Sequence, residues 1–373
     1  MSVSAVLIVK NEGACLGACL DALRGVVDEV VVADTGSTDA SPAIALSHGA
    51  RVVEFPWCDD FSAARNFAIG HASHDCVLTV DADEFLTSSP EEARLALLSF
   101  AADASSQPLL GLVEIINLRA DDGGEVAVDQ TARVFHRKHF RYVGAIHEQL
   151  IPFDDCTPTA RLLPLQFRHT GYALSPEQAT AKAHRNIAIL RRELESHPDD
   201  EYYRYQLGKA WVSLGWHKAS AIAFEHSLRA IDFTANPPRG RLGAVGRPVL
   251  TGALCGAAYA LMNSNDDARA LALLREHQRL GHAGTNTADF FHALGYACLR
   301  AGQLVEAEAA YRLSLGLPED VQGCGSWSSW YHLGLIDEVR NDVAQARIKY
   351  RESLRLRPDY APALTRLTAL EGK

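Results

Sequence analysis

Three apolar runs of strand length open the chain, and each closes on polar residues. Val3–Val9 runs into Lys10-Asn11-Glu12, residues 28–33 run into Asp34-Thr35-Gly36-Ser37-Thr38-Asp39, and residues 76–80 run into Asp81-Ala82-Asp83-Glu84. Between them the spacing changes to that of helices. Leu16, Leu20 and Leu23 recur at three and four, Ser41-Pro42 offers a cap with proline in the first turn, and residues 61–69 carry another apolar face. Strand and helix in alternation predict a mainly parallel sheet with helices on both faces, where ligands bind beyond the carboxyl ends of the strands. Asn11, Asp34, Asp81 and Asp83 would then share one crevice. Two carboxylates at alternate positions on a buried strand tip repel unless a cation lies between them, and a divalent metal is the natural partner.

Residues 110–118 and 125–135 are again strand-like, and Asp121-Asp122-Gly123-Gly124 between them is a hairpin signal. A β-ribbon beside the main sheet is expected. Two polar clusters follow, Arg141-Tyr142-Val143-Gly144-Ala145-Ile146-His147-Glu148-Gln149 and Arg168-His169-Thr170-Gly171-Tyr172.

From about residue 175 the texture turns to amphipathic helices rich in alanine and leucine. A helix at 176–196, closed by His197-Pro198, joins two domains and begins a stack. Leu207-Gly208 with Trp211, Gly215 and Phe224 fits a tetratricopeptide helix pair, as do Leu294-Gly295 with Gly302, Ala307 and Tyr311. A third copy has Leu333-Gly334, Ala346, Tyr350 and Pro358, and a weaker one Gly256, Tyr259 and Ala268. Small residues at these offsets let paired helices approach while large ones fill the space between, so stacked copies bury what one copy cannot. Asn236-Pro237-Pro238-Arg239-Gly240 and Gly323-Cys324-Gly325-Ser326 read as insertions in a short, irregular solenoid. The expected layout is an α/β domain at 1–172, a linking helix at 173–198 and an all-α repeat domain at 199–373. Trp211, Trp216, Trp327 and Trp330 are placed either in the repeat core or along a groove.

A chain of 373 residues, 47% hydrophobic and 22% charged, is long enough for two cores. The apolar runs of the first half are strand-sized, and the first meets Lys10-Asn11-Glu12 instead of a small-residue cleavage site, so a cytoplasmic protein is expected. Eight cysteines are scattered, with Cys15 and Cys19 as a close pair that no second pair completes into a four-thiolate zinc site; reduced thiols are the simplest account. The net charge of −10, from 36 basic and 46 acidic residues, argues against general nucleic-acid binding.

Five motifs, taken in order, carry a resemblance: Val9-Lys10-Asn11-Glu12, Asp34-Thr35-Gly36-Ser37-Thr38-Asp39, Phe55-Pro56-Trp57-Cys58-Asp59-Asp60-Phe61-Ser62, Ala64-Arg65-Asn66 and Asp81-Ala82-Asp83-Glu84. Together they resemble family 2 of the inverting nucleotide-sugar glycosyltransferases, with the GT-A fold, over roughly residues 1 to 172. The resemblance implies that Asn11, Glu12, Asp34, Arg65 and Asp81 bind a nucleotide sugar, with Asp34 on the uracil or ribose and Arg65 near the diphosphate. It implies a DXD-type metal site at Asp83 and Asp81, with His147 or His169 completing the shell, and Mn2+ or Mg2+ suits such oxygen-rich ligands. An inverting transferase needs a carboxylate to take the acceptor proton, and Glu148 in the His-Glu pair is the candidate base. Each has a structural alternative: Asp34 capping its turn, Arg65 tying down a loop, Glu148 pairing with Arg133 or Arg141, the histidines as hydrogen-bonding residues. Gln130-Thr131-Ala132-Arg133-Val134 resembles the Gln-x-x-Arg-Trp pattern of processive members, but Val134 stands in place of tryptophan, so processive synthesis does not follow.

The whole chain resembles enzymes that join such a domain to tetratricopeptide repeats, among them glycosyltransferases of bacteriocin peptides. That implies transfer of a hexose or N-acetylhexosamine, from a UDP-linked donor, to a peptide or protein held partly by the repeats. A lipopolysaccharide core or other glycolipid acceptor is the alternative, and a non-catalytic repeat scaffold with a degenerate sugar-nucleotide domain is the third reading. The repeats could equally serve as a homodimer surface.

Overall fold

The computed structural model describes residues 1–118, 125–154, 156–169, 175–235 and 247–372. The hairpin turn at 121–124, Thr170-Gly171-Tyr172 and the insertion at 236–240 lie outside the described residues. The chain forms two compact units, Met1–Ala179 and Thr180–Lys373.

In the first unit β1 (Val3–Val9), β2 (Glu29–Asp34), β3 (Arg51–Glu54) and β4 (Cys76–Thr79) run parallel in the order β3-β2-β1-β4. Beyond β4 the sheet continues through β7 (Glu125–His136), β6 (Leu109–Leu118), β10 (Thr159–His169) and β5 (Glu84–Leu86). Four of its seven pairings are parallel and three antiparallel. Alternate residues of each strand face opposite sides. Ala5, Leu7, Val32 and Leu78 pack with Leu16 and Leu20 of α1 (Leu16–Ala22), Ala45 of α2 (Ser41–Ser47), and Leu97 and Phe100 of α4 (Pro90–Ala104). Val6, Val31 and Val77 pack on the other face with Ala68 and Ile69 of α3 (Phe61–His71) and with Phe140 and Tyr142 of β8 (Phe140–Val143). β8 pairs with β9 (Gln149–Pro152) in a separate small sheet.

Two local expectations change. The β6–β7 ribbon does not lie beside the sheet; it is its middle, with β7 paired to β4 on one edge and β6 to β10 on the other. Val113, Ile115 and Val134 pack into one layer and Phe135 into the other, and Gly111 allows the closeness, since a Cβ there would stand 2.7 Å from Val134 Cβ. A hairpin signal reports local pairing and is silent about a strand's outer neighbour. Ser41, expected as a cap, is the first residue of α2, with Ala40 in the cap position; its hydroxyl instead accepts from Glu12 N at 2.8 Å.

The sheet order also requires curl. β4 and β5 stand four strand spacings apart, about 19 Å in a flat sheet. Thr79 to Glu84 is five Cα–Cα steps, with a span of at most about 18 Å. The segment is shorter still, because Glu84 N donates to Asp81 O at 3.0 Å. The acidic turn therefore crosses the mouth of a curled sheet.

The second unit takes up α5 (Pro176–Ser196) and then pairs its helices: α6 (Glu201–Ser213) with α7 (His217–Arg229), α8 (Arg247–Asn263) with α9 (Asp267–Leu280), α10 (Ala288–Arg300) with α11 (Leu304–Ser314), and α12 (Trp327–Val339) with α13 (Val343–Leu356), before α14 (Ala361–Glu371). Each pair turns through one left-handed residue: Gly215, Asn265, Gly302 and Asn341. Five residues beyond each, Ser220, Ala270, Ala307 and Ala346 are fully buried. This register corrects the weak copy. Ala268 is exposed and Ala270 holds the packed position, because the turn residue is Asn265. Gly256 is likewise out of register, and a Cβ on it would meet Phe224 of the preceding pair at 2.9 Å. Trp216 is exposed, and Trp211, Trp327 and Trp330 are half-buried, so none of the four is a core residue.

Gly208, Gly295 and Gly334 each face an aromatic ring sixteen residues on: Phe224, Tyr311 and Tyr350. At Gly334 a Cβ would lie 2.6 Å from Tyr350, whose ring is fully buried and whose hydroxyl donates to Glu338 at 2.6 Å. The ring has nowhere to go. Gly334→Ala is expected to cost about 1 kcal/mol net, overpacking of about 1–3 kcal/mol exceeding a helix-propensity gain of up to about 1 kcal/mol. A thermal midpoint at or above that of the wild type would contradict it.

Candidate active site

The carboxyl ends of β1, β2 and β4 meet as two stitched loops and one acidic turn. Asn11, in the left-handed region at φ 58°, accepts from Thr38 N at 2.7 Å through Oδ1, and its own N donates to Ser37 Oγ at 2.9 Å. Asp39 accepts from Gly13 N and from the Ser41 hydroxyl, closing the same seam. Asp34 is buried at the end of β2 and accepts from Ser37 N at 3.2 Å with both oxygens, so it does cap its turn. Burial raises the Glu12 carboxyl above its ordinary range, and the nearby Asp83, Asp39 and Asp81 add to this.

A buried ion network lies under the acidic turn. Arg65, projecting from α3, donates from Nε to Glu148 Oε1 at 2.6 Å and from Nη2 to Asp81 Oδ1 at 2.8 Å. Its helix starts on the Asp60 cap, which accepts from Ala63 N, and Asn66 next in line bonds both Tyr142 N and Tyr142 O. That double bond ties α3 to β8, which brings the chain on to Glu148. Glu148 is thus paired with Arg65, and neither with Arg133 nor with Arg141 as the sequence alternative had it.

Arg133, from the central strand β7, donates from Nη2 to Asp81 Oδ2 at 3.0 Å and to Glu84 Oε1 at 2.5 Å. Its Nε is buried with no partner among the described residues. Glu84 Oε2 in turn accepts from Asp81 N at 3.0 Å. Burial pushes Asp81 up, but the Arg65 and Arg133 guanidiniums outweigh it and hold the carboxyl well below the usual range. Burial raises Glu84, with Arg133 opposing only in part. Arg133 and Glu84 were given no site role in the sequence reading.

Asp83 points elsewhere. Its Oδ2 lies 3.2 Å from His169 Nε2, both side chains being partly exposed. The hydrogen bond to Asp83 raises the His169 pKa against the effect of burial. His147 sits in the left-handed region at φ 52°, which is uncommon for a residue other than glycine. Among the described residues no three His, Cys, Asp or Glu side chains are placed to hold an ion together. Asp83 with His169 nevertheless fits Mn2+ or Mg2+, which take few protein ligands and complete their shell with phosphate oxygens and water.

Cavity size does not mark this chemistry: a cavity of about 500 Å³ in the second unit, lined by Leu228, Phe233, Arg269, His277 and His282, contains none of these residues. Among the described residues no helix is long and apolar enough to cross a membrane.

Residues 4–96 match the family model described as Glycosyl transferase family 2. A TPR repeat-containing protein of Synechococcus elongatus is 33% identical over 235 residues, 61% of this chain and 56% of that protein. The SPbeta prophage-derived glycosyltransferase SunS of Bacillus subtilis is 24% identical over 222 residues, 56% of this chain and 49% of that one. The chain spans about half the length of the curated relatives it matches. Among solved structures, YrrB, a TPR protein with an unusual peptide-binding site, shares 17% identity over 51% of this chain and 86% of that chain, with a TM-score of 0.38.

Proposed function

We propose that this chain, in which a family 2 glycosyl transferase domain is joined to tetratricopeptide-type repeats, transfers a hexose or N-acetylhexosamine with inversion from a UDP-linked donor to a peptide or protein side chain. The observation that carries the reading is the acidic turn stretched across the curled sheet, with Asp81 held by two buried arginines and Asp83 turned to His169.

Asn11, Glu12 and Asp34 line the loops where the base and ribose would lie, and Arg65 behind Asp81 supplies fixed positive charge below the diphosphate. Asp83 and His169, with Asp81 behind them and His147 as the further candidate, would hold Mn2+ or Mg2+. That ion supplies Lewis-acid stabilisation of charge on the departing nucleoside diphosphate. The acceptor atom attacks the anomeric carbon from the opposite face, the bond to the diphosphate oxygen breaks with its electron pair, and Glu148 takes the acceptor proton. Arg65 at 2.6 Å orients that carboxylate. The repeats would hold the peptide.

A panel of UDP-, GDP- and other nucleotide sugars, incubated with Mn2+, with Mg2+ and with chelator, tests the reading through donor hydrolysis. Metal-dependent consumption of one donor is expected. No binding or turnover of any donor would leave a repeat scaffold as the better account.

Glu148→Gln discriminates the acceptor atom. A thiol, with a pKa of about 8.5, ionises far more readily than a hydroxyl and leans less on a base. On matched peptides the substitution is expected to slow a serine acceptor at least about tenfold more than a cysteine acceptor; equal losses would remove Glu148 as the base.

A further inference from the structure

We infer that Asn117 and Asp129 fix His169 in the tautomer that carries its hydrogen on Nδ1, so that the Nε2 lone pair is aimed at Asp83, and that both act as positioning residues for a divalent cation held there. The inference rests on the metal part of the proposed function.

Strand register brings the groups together. His169 stands beside Asn117 across β10–β6 and beside Glu84 across β10–β5. Asn117 is 4% exposed, so its amide must find protein partners. Its Nδ2 donates to Asp129 Oδ2 at 2.7 Å. An ionised carboxylate only accepts, which forces the amide nitrogen toward Asp129 and the amide oxygen toward His169. Asn117 Oδ1 and His169 Nδ1 are 2.8 Å apart. A carbonyl oxygen also only accepts, so Nδ1 must carry the hydrogen.

With Nδ1–H so fixed, Nε2 faces Asp83 Oδ2 at 3.2 Å, where a proton on Nε2 donates to the carboxylate and, once that proton leaves, a cation can take its place. In the neutral ring the two acceptors repel unless a cation lies between them. The separation is close to the roughly 3.0 Å between adjacent ligand atoms around an octahedral ion with bonds of about 2.1 Å. Partners behind a metal-binding histidine set its tautomer and basicity, and losing one weakens metal binding about 10–100-fold. Asp129 acts two bonds further back, by choosing which end of the Asn117 amide faces the ring.

The test uses the full chain labelled with 15N-histidine. NMR at a pH where the ring is neutral reports the His169 tautomer, and Mn2+ electron paramagnetic resonance reports affinity for Mn2+ alone and with UDP. The wild type is expected to show Nδ1–H. Asn117→Leu is expected to lose that signature and about tenfold in Mn2+ affinity. Asp129→Ala, at an exposed position that does not threaten folding, should give mixed tautomers and a smaller loss. The double variant N117D/D129N keeps both hydrogen bonds, with donor and acceptor exchanged in the 117–129 bond alone, and should restore signature and affinity together. An Nε2–H signature in the wild type, or unchanged Mn2+ affinity in Asn117→Leu, would overturn the inference. A wild type that shows Nδ1–H yet binds no Mn2+ would overturn the metal reading instead, so the two failures are distinct.

Discussion

Arg65→Met is expected to abolish donor turnover and to cost about 3 kcal/mol of stability, within the range of about 3–5 kcal/mol for breaking a buried ion pair. The Arg65 and Glu148 side chains are 9% and 13% exposed, so Glu148 would be left as a buried, uncompensated carboxylate. The lower end applies because Asp81 is 32% exposed and keeps Arg133. The pH dependence has a definite sign. In the wild type the folded-state pKa of Asp81 is depressed, so its stabilisation is complete above the unfolded value of about 3.9 and is lost only as pH falls through the lower folded value. Without Arg65 that depression shrinks, and the variant takes up protons at higher pH than the wild type. The gap between the two, read from urea unfolding, is therefore largest near neutrality and narrows in acid. A gap that widens in acid would show that the ion network does not hold the fold.

Asp83→Asn is expected to lower metal-dependent donor turnover about a hundredfold or more, equivalent to roughly 3 kcal/mol of transition-state stabilisation. An amide is close in size to a carboxylate but carries no charge to hold a hard cation. Asp83 is 30% exposed and outside the Arg65–Arg133 network, so the fold should keep its stability within about 1 kcal/mol. The combination of lost turnover and retained melting temperature is the informative result. Wild-type turnover in the variant would remove Asp83 from the proposed metal site.

The strand tips were legible because an abrupt change from apolar to polar residues is a local signal, and Asn11, Asp34, Asp81 and Asp83 all stand at such changes. Arg133 was not, since its partners Asp81 and Glu84 lie 52 and 49 residues away and only the insertion of β7 beside β4 brings them together. Misplacing the ribbon and missing Arg133 are one error. The Glu148 partner was misread for a related reason: the Asn66 bonds that bring α3 to β8 involve the backbone of Tyr142, which no residue pattern reveals. In the repeats, glycine and alanine spacing found three pairs, and the second was shifted because Ala258 stands where the others have glycine, while its true marker, Asn265, signals through backbone conformation.

The short passage from Thr79 to Glu84 has a consequence for binding. Four residues, 80–83, that must bridge the mouth of a curled sheet, and are also closed by the Glu84–Asp81 hydrogen bonds, have no slack. The conformational entropy of that segment is surrendered when the sheet closes, so a ligand meeting Asp81 and Asp83 does not have to order them again. Lengthening the passage by even a residue would return that cost to every binding event while leaving all the side chains in place.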